Sequence, residues 1–420
     1  MAAGSALPFG SAHAQLQVEV NRGKVEPMPI AISPMAGSPM GTQIAGVITT
    51  DLAGSGLFRP IDQAAFIQSP QELADAAPRF PDWRQINAQA LVTGRVQDNG
   101  GTIGVEFRLW DVYAGTQLTG MRYDATSAQW RRLAHKIADE IYRRLTGDAG
   151  YFDTRICYIS ETGPAKQKVK RLAIMDQDGA NHAFLTDGNS LVLTPRFSPD
   201  TRQIAYMAYR GGRPTIYVRT IATGQEISLG DFGGTAFAPR FAPSSDSLLV
   251  TVAREGNSDI YRVDIGSRSL RPITSGSAID TSPSYSPDGS RIVFVSDRGG
   301  IPQLYVMGSS GGGAQRISFG NGRYGDPAWS PRGDFIAFTN IQGGMFHVGL
   351  MRPDGSDERL ITRSYRDQSP NWAPNGRVIV FSRQSGDRSR LFSIDSNGYN
   401  ERQLPTPLDA SDPDWSAVLP

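Results

Sequence analysis

At 420 residues the chain is longer than one ordinary hydrophobic core organises, so two domains are the starting expectation. Forty-two basic residues balance 41 acidic ones with no dense Lys/Arg block, which argues against a nucleic-acid partner, since phosphates need a basic face. The apolar runs, such as residues 292–295, are far shorter than a bilayer span, so membrane insertion is excluded, while 46 Gly and 28 Pro suit short strands joined by tight turns.

In chain order, the first signal is an address. Ala12-His13-Ala14 before Gln15 fits the small-residue pattern of a signal-peptidase site, so residues 1–14 read as the tail of an export signal. An ordinary flexible N-terminus is the alternative. The single Cys157 forms no internal disulfide and is expected to be a buried small hydrophobe.

Residues 15–150 read as a small α/β domain. Strands are expected over 16–20 and 29–32, a helix over 43–57 from the spacing of Ile44, Val47, Ile48 and Leu52, and a meander over 90–96, 103–112 and 117–123. Thr126 with Gln129 forms a capping-box pattern. Trp130, Leu133, Ala134, Ile137, Ile141 and Leu145 then mark one face of a helix that Gly147 ends.

From residue 151 onward the sequence repeats. Pro283 to Gly289 reads PSYSPDG, and relatives of it begin at Pro195, Pro239, Pro327, Pro370 and Pro413, spaced 43 or 44 residues apart. Such a period signals stacked or radial units. One repeat, residues 283–326, holds four strand-like runs, the content of one propeller blade. Pro413-Asp414-Trp415-Ser416 supplies only the innermost strand of a last unit. The runs at 155–160, 171–176 and 184–186 supply its other three. The expected fold is therefore an α/β domain over 15–150 and an all-β six-bladed propeller over 151–420, closed by pairing the C-terminal strand with the segment near Ile156, which removes open sheet edges.

Candidate chemistry is sparse. Residues 308–312 (GSSGG) match the G-x-S-x-G pattern, but a nucleophile elbow needs a strand running into a helix, and this segment is a turn between strands. Asp176-Gln177-Asp178-Gly179 with Asn181 resembles half a calcium loop, yet the twelfth position is Asp187 rather than Glu. His13, His135, His182 and His347 show no metal-ligand spacing. No catalytic residue, metal or cofactor is assigned.

What remains is surface. The segments entering each innermost strand (189–194, 233–238, 277–282, 321–326, 364–369 and 408–412) and the turns between strands two and three should gather on one face. They bring Thr194, Phe237, Ala238, Asp280, Thr281, Tyr324, Asp326, Asp367 and Asp412 there, with Arg210, Arg254, Arg298 and Arg383 outside them. A ring of carboxylates with arginines and aromatics suits a polypeptide partner. Solvated loop residues and turn caps are the plain alternative at each position.

The repeat P-x-[aromatic]-S-P-D-G, with I-A-[YF] and I-Y-V runs following, resembles the TolB-type propeller repeat. An export signal, an α/β domain and six blades in that order are similar to the TolB family of the periplasmic Tol–Pal envelope system, as are IAGVITTDLAGSGLFRPID and LVTGRV. The resemblance implies a monomeric, non-enzymatic periplasmic adaptor serving envelope integrity and constriction at cell division. Its propeller would bind the lipoprotein Pal, with Ala238, Thr281 and Asp280 in the contacting segments. Its N-terminal segment (Gln15, Leu16, Gln17, Val18, Glu19, Val20 and Asn21) would engage TolA. Other envelope proteins are further candidate partners. The alternatives are a relative of serine peptidases in which the propeller gates a catalytic domain, and a propeller that binds a small ligand or glycan.

Overall fold

A computed structural model describes Leu16, Val18 and residues 26–420. Residues 1–14, and Gln15, Gln17, Glu19, Val20 and Asn21 of the N-terminal segment, lie outside the described residues. Leu16 and Val18 carry no strand assignment. The chain divides into two compact units at Gly150 and Tyr151.

In the first unit, β1 (Met28–Ile32) runs parallel to both β2 (Phe58–Pro60) and β3 (Ala90–Asp98). The sheet continues antiparallel through β4 (Thr102–Asp111) and β5 (Thr116–Thr126), giving the order β2-β1-β3-β4-β5. The long helices α1 (Met40–Gly54) and α4 (Trp130–Thr146) pack together, and His135 Nδ1 lies 2.7 Å from Asp51 Oδ2 between them, both side chains buried. The Thr126–Gln129 capping box is formed, in a 3-10 turn leading into α4, and Gly147 ends that helix at φ 78°. Between β2 and β3 lie two further helices, α2 (Pro70–Asp75) and α3 (Phe80–Gln85), which hydrophobic spacing does not announce. Six residues are under two turns, too short for a periodic face to repeat. Local chemistry holds them instead. Ser69 and Glu72 form a capping box on α2, and buried Trp83 of α3 donates Nε1–H to Gln68 Oε1 at 3.0 Å.

The second unit is six four-stranded sheets. Blade II comprises Val192–Phe197, Gln203–Arg210, Arg213–Thr220 and Glu226–Ser228. Blades III to VI repeat the pattern from inner strands Thr235–Phe241, Asp280–Tyr285, Arg323–Trp329 and Asp367–Trp372. Blade I takes its inner strand, Asp409–Trp415, from the far end of the chain. That strand pairs antiparallel with Arg155–Thr162, placing Trp415 opposite Ile156 and Asp414 opposite Cys157. Val169–Asp176 and Ala183–Phe184 complete the sheet.

PSYSPDG proves to be the outward turn at the end of an inner strand. Ser286 Oγ donates to Asp288 Oδ1 at 2.5 Å and accepts from Arg291 N at 3.0 Å, while Ser290 N and Oγ both donate to the Asp288 carboxylate. Those bonds hold the Asp288 carboxyl low, at about 2. The inner strand begins earlier than the repeat prolines suggest: Pro283 is the fourth residue of Asp280–Tyr285. Trp415 is 6% exposed, packs edge-on against Tyr151 at 5.8 Å and donates Nε1–H to Thr154 Oγ1 at 2.8 Å. Trp415→Ala should therefore cost about 3–5 kcal/mol in urea unfolding, with Trp415→Phe distinctly milder because the ring packing is kept.

Candidate functional site

The six inner strands share one backbone irregularity. Thr194, Ala238, Ser282, Asp326, Ser369 and Asp412, each immediately before a repeat proline, all have φ between 47° and 55°. A non-glycine residue there pays about 1–2 kcal/mol in steric crowding, and a following proline already disfavours helical backbone. At each of these sites the pairing with the second strand shifts register. The bulge turns amide groups away from their own sheet, and at three of the six positions a side chain of the preceding blade satisfies them. Ser282 N donates to Thr251 Oγ1 at 3.2 Å, Ser369 N to Thr339 Oγ1 at 3.3 Å, and Thr194 N to Asp412 Oδ2 at 3.4 Å.

Repeat position then sorts the residues singled out in the sequence. Thr194, Ala238, Asp326 and Asp412 occupy the kinked position, joined by Ser282 and Ser369, which sequence reasoning missed although alignment on the prolines would have found them. Asp412 links two of these copies, with Oδ1 3.5 Å from Ser369 Oγ and Oδ2 facing Thr194 N. Asp326 Oδ2 accepts from Thr339 Oγ1 at 3.2 Å. Phe237 and Thr281 lie one residue earlier, both half-buried, with Phe237 packed against the core shared by blades II and III.

Asp280, Tyr324 and Asp367 require correction. They sit three residues before their prolines, in the slot filled elsewhere by Val192, Ala236 and Ala410, and all six are buried. Asp280 is 1% and Asp367 0% exposed, so neither offers its carboxylate as a surface ring. Arg298 Nη2 grips both Asp280 oxygens at 2.9 and 3.0 Å, and Arg383 binds Asp367 in a fork at 2.6 and 3.0 Å. Buried carboxylates demand such partners. Tyr324 hydrogen-bonds through its hydroxyl to Glu358. The outer arginines are likewise committed: Arg210 pairs with Glu226, Arg254 Nε donates to Phe232 O, and Arg210, Arg254, Arg298 and Arg383 lie over Tyr217, Tyr261, Tyr305 and Phe392.

The residues following the prolines form a second tier: Arg196, Arg240, Ser284, Ala328, Asn371 and Asp414. Two arginines here were not anticipated. Arg240 Nη1 lies 3.7 Å from Asp414 Oδ1, and Asp414 Oδ2 accepts from Phe197 N at 2.6 Å. Burial, reinforced by Arg196, lowers Arg240 to about 9, and burial raises Asp412 and Asp414 despite the arginines nearby.

The face carrying the entering segments differs from the rest of the propeller in apolar exposure. Twelve large apolar side chains of this unit are exposed among the described residues. Eight lie here: Val169, Leu191, Tyr209, Ile279, Ile301, Phe319, Met345 and Tyr365. Phe319 and Tyr365 are 71% and 74% exposed. On the same face, Glu161 is pushed up by burial but held below its ordinary value by hydrogen bonds from Lys168, Lys170 and Ser411, and Lys168 also reaches Asp387 O at 2.7 Å. Contiguous exposed apolar surface is the chemistry from which protein-binding faces are built.

The geometry defines a class: a six-bladed propeller scaffold accompanied by a separate α/β unit, with exposed apolar side chains concentrated on one propeller face. The chain belongs to the TolB family, matching the TolB beta propeller domain over residues 142–419 and the TolB amino-terminal domain over residues 16–118. It is 52% identical over 232 residues to a Tol-Pal system protein TolB of Paramagnetospirillum magneticum, an alignment covering 54% of this chain and 52% of that protein. The chain thus matches about half the length of that relative. It is also similar to the crystal structure of TolB from Acinetobacter baumannii, with a TM-score of 0.84 and 29% identity over 96% of this chain and all of that one. A nidogen/laminin complex shares only the fold, with a TM-score of 0.52 and 7% identity over 64% of this chain and 100% of that one.

Two outcomes follow. Ala238→Gly should stabilise the protein by up to about 1 kcal/mol and Ala238→Val destabilise it by at least ~1 kcal/mol, measured by chemical denaturation, because only glycine relaxes at positive φ. Asp414 binds its proton more tightly folded than unfolded, so its contribution to stability grows as pH falls toward the ordinary carboxylate range. The stability difference between Asp414→Asn and wild type should therefore shift in favour of wild type between about pH 7 and about pH 4.

Proposed function

We propose that the protein is a non-enzymatic periplasmic adaptor of the Tol–Pal system, binding Pal through the propeller face of the entering segments and TolA through its N-terminal segment. The observation that carries the propeller assignment is the collection of exposed apolar side chains on that face, around the kinked positions Thr194, Ala238, Asp326 and Asp412. Family membership supports the envelope setting, and no helix among the described residues is long and apolar enough to cross a membrane. Thr281 and Phe237 would contribute at the rim. Asp280, Asp367 and Tyr324 would act indirectly, by fixing Arg298, Arg383 and the blade edges.

The N-terminal segment bears on the second partner. Val18 is buried, and its N–H donates to Leu145 O at 2.8 Å, capping one of the carbonyls left over at the end of α4. A partner that takes residues 15–21 as a strand would have to break that bond. Binding of one partner would then alter affinity for the other, and the coupling must be reciprocal.

The experiment is affinity measurement with purified Pal and TolA. Phe319→Glu with Tyr365→Glu should weaken Pal binding by at least about tenfold and leave TolA binding intact, whereas deleting residues 15–21 should abolish TolA binding. Pal affinity unchanged in the double variant, or TolA affinity unchanged in the deletion, would refute the corresponding half.

A further inference from the structure

The opposite end of the channel, where inner strands turn outward, carries a different chemistry. There a pocket of about 230 Å³ is lined by Arg196, Arg240, Asp414, Asn371, Trp329 and Trp415 among others. Arg196 and Arg240 hold the same repeat position in adjacent blades. Arg196 is 8% exposed, yet its Nε has no hydrogen-bond partner among the described residues, and its Nη1 is satisfied only by Pro195 O at 2.6 Å. A buried guanidinium presents five donors and is costly to leave underused. Among the described residues the one acid within ion-pair distance of either arginine, Asp414, stands 3.7 Å from Arg240 and is already engaged by Phe197 N. Asp412 also acts electrostatically on Arg196 and Asp326 on Arg240, but both carboxylates are hydrogen-bonded elsewhere, so what the pocket offers is unused guanidinium donors and not an excess of charge.

We propose that this pocket binds a single carboxylate, held by the Arg196 and Arg240 guanidinium groups at the end of the channel remote from the apolar face. Planar guanidinium forks match carboxylate geometry better than any other side chain does. Asn371, whose Nδ2 donates to Pro413 O at 3.3 Å, closes one side, and Trp329 and Trp415 supply apolar wall. The volume suits a small carboxylic acid or the terminal residue of a polypeptide, and not a folded surface. Asp414 opposes the ligand: it competes for Arg240 and repels the incoming charge.

The test is calorimetric titration of the full chain with benzoate and with neutral benzamide, followed in parallel by tryptophan fluorescence. Saturable benzoate binding is expected, with benzamide at least about tenfold weaker. Arg196→Met should weaken benzoate by about tenfold or more, and Asp414→Asn should tighten it. A peptide ending in a free carboxylate, compared with its amide, identifies the source: discrimination between them indicates a polypeptide end, and binding of benzoate alone indicates a free acid. No saturation by ~10 mM, equal affinity for benzamide, or a folded Arg196→Met protein with unchanged affinity would overturn the proposal. Should Arg196→Met fail to fold, Asp414→Asn decides, since it retains both arginines: affinity that does not rise counts against the site.

Discussion

A left-handed residue wedged against a proline is an unfavourable arrangement, and this propeller contains it in every blade. At three of the six the displaced amide finds a side-chain partner on the neighbouring blade: Thr251 for Ser282, Thr339 for Ser369 and Asp412 for Thr194. The kink breaks the two-residue alternation of the inner strand. Residues before and after the proline are thereby set in separate tiers from the blade-filling positions, and the sheet register shifts at the same place each time. Local strain and interblade bonding are thus one device seen at two scales.

That device gives the ring a constant frame with variable contents. The position three residues before the proline tolerates Val192, Ala236 and Ala410, and also Asp280, Tyr324 and Asp367 once a polar partner is supplied from the same blade. The position after the proline varies from Arg196 and Arg240 to Ala328 and Asp414 around a common backbone. Function on such a frame is a matter of which slots are charged, since the fold itself hosts many activities. Here one face is apolar and open, and the other ends in an arginine pair.

The two units were legible in the sequence to different degrees. The fixed spacing of Pro195, Pro239, Pro283, Pro327, Pro370 and Pro413 reports the blades directly, because each blade repeats the same turn chemistry, as in Ser286 and Asp288. The long helices α1 and α4 announce themselves by apolar periodicity. The short α2 and α3 do not, because capping and one buried tryptophan hold them in place of a repeating face. Among the candidate residues, Thr194, Asp326 and Asp412 were singled out as members of the entering segments and Ala238 through the family resemblance, while Ser282 and Ser369, at the same position before their prolines, were passed over.

The sequence by itself determined the number of blades and the order of strands within each, since these follow from a repeating pattern of turns, whereas the left-handed backbone before each proline emerges only in the folded chain. Only the tertiary structure decided which acidic residues face outward. Asp280 and Asp326 occupy matching loops of successive repeats, yet one is buried under Arg298 and the other stands at a kink, because a bulge reverses the side-chain alternation that a strand would otherwise keep. The meeting of Arg196, Arg240 and Asp414 likewise lies beyond sequence reading. More than 170 residues separate Arg240 from Asp414, and only the curvature of the ring brings them within 3.7 Å.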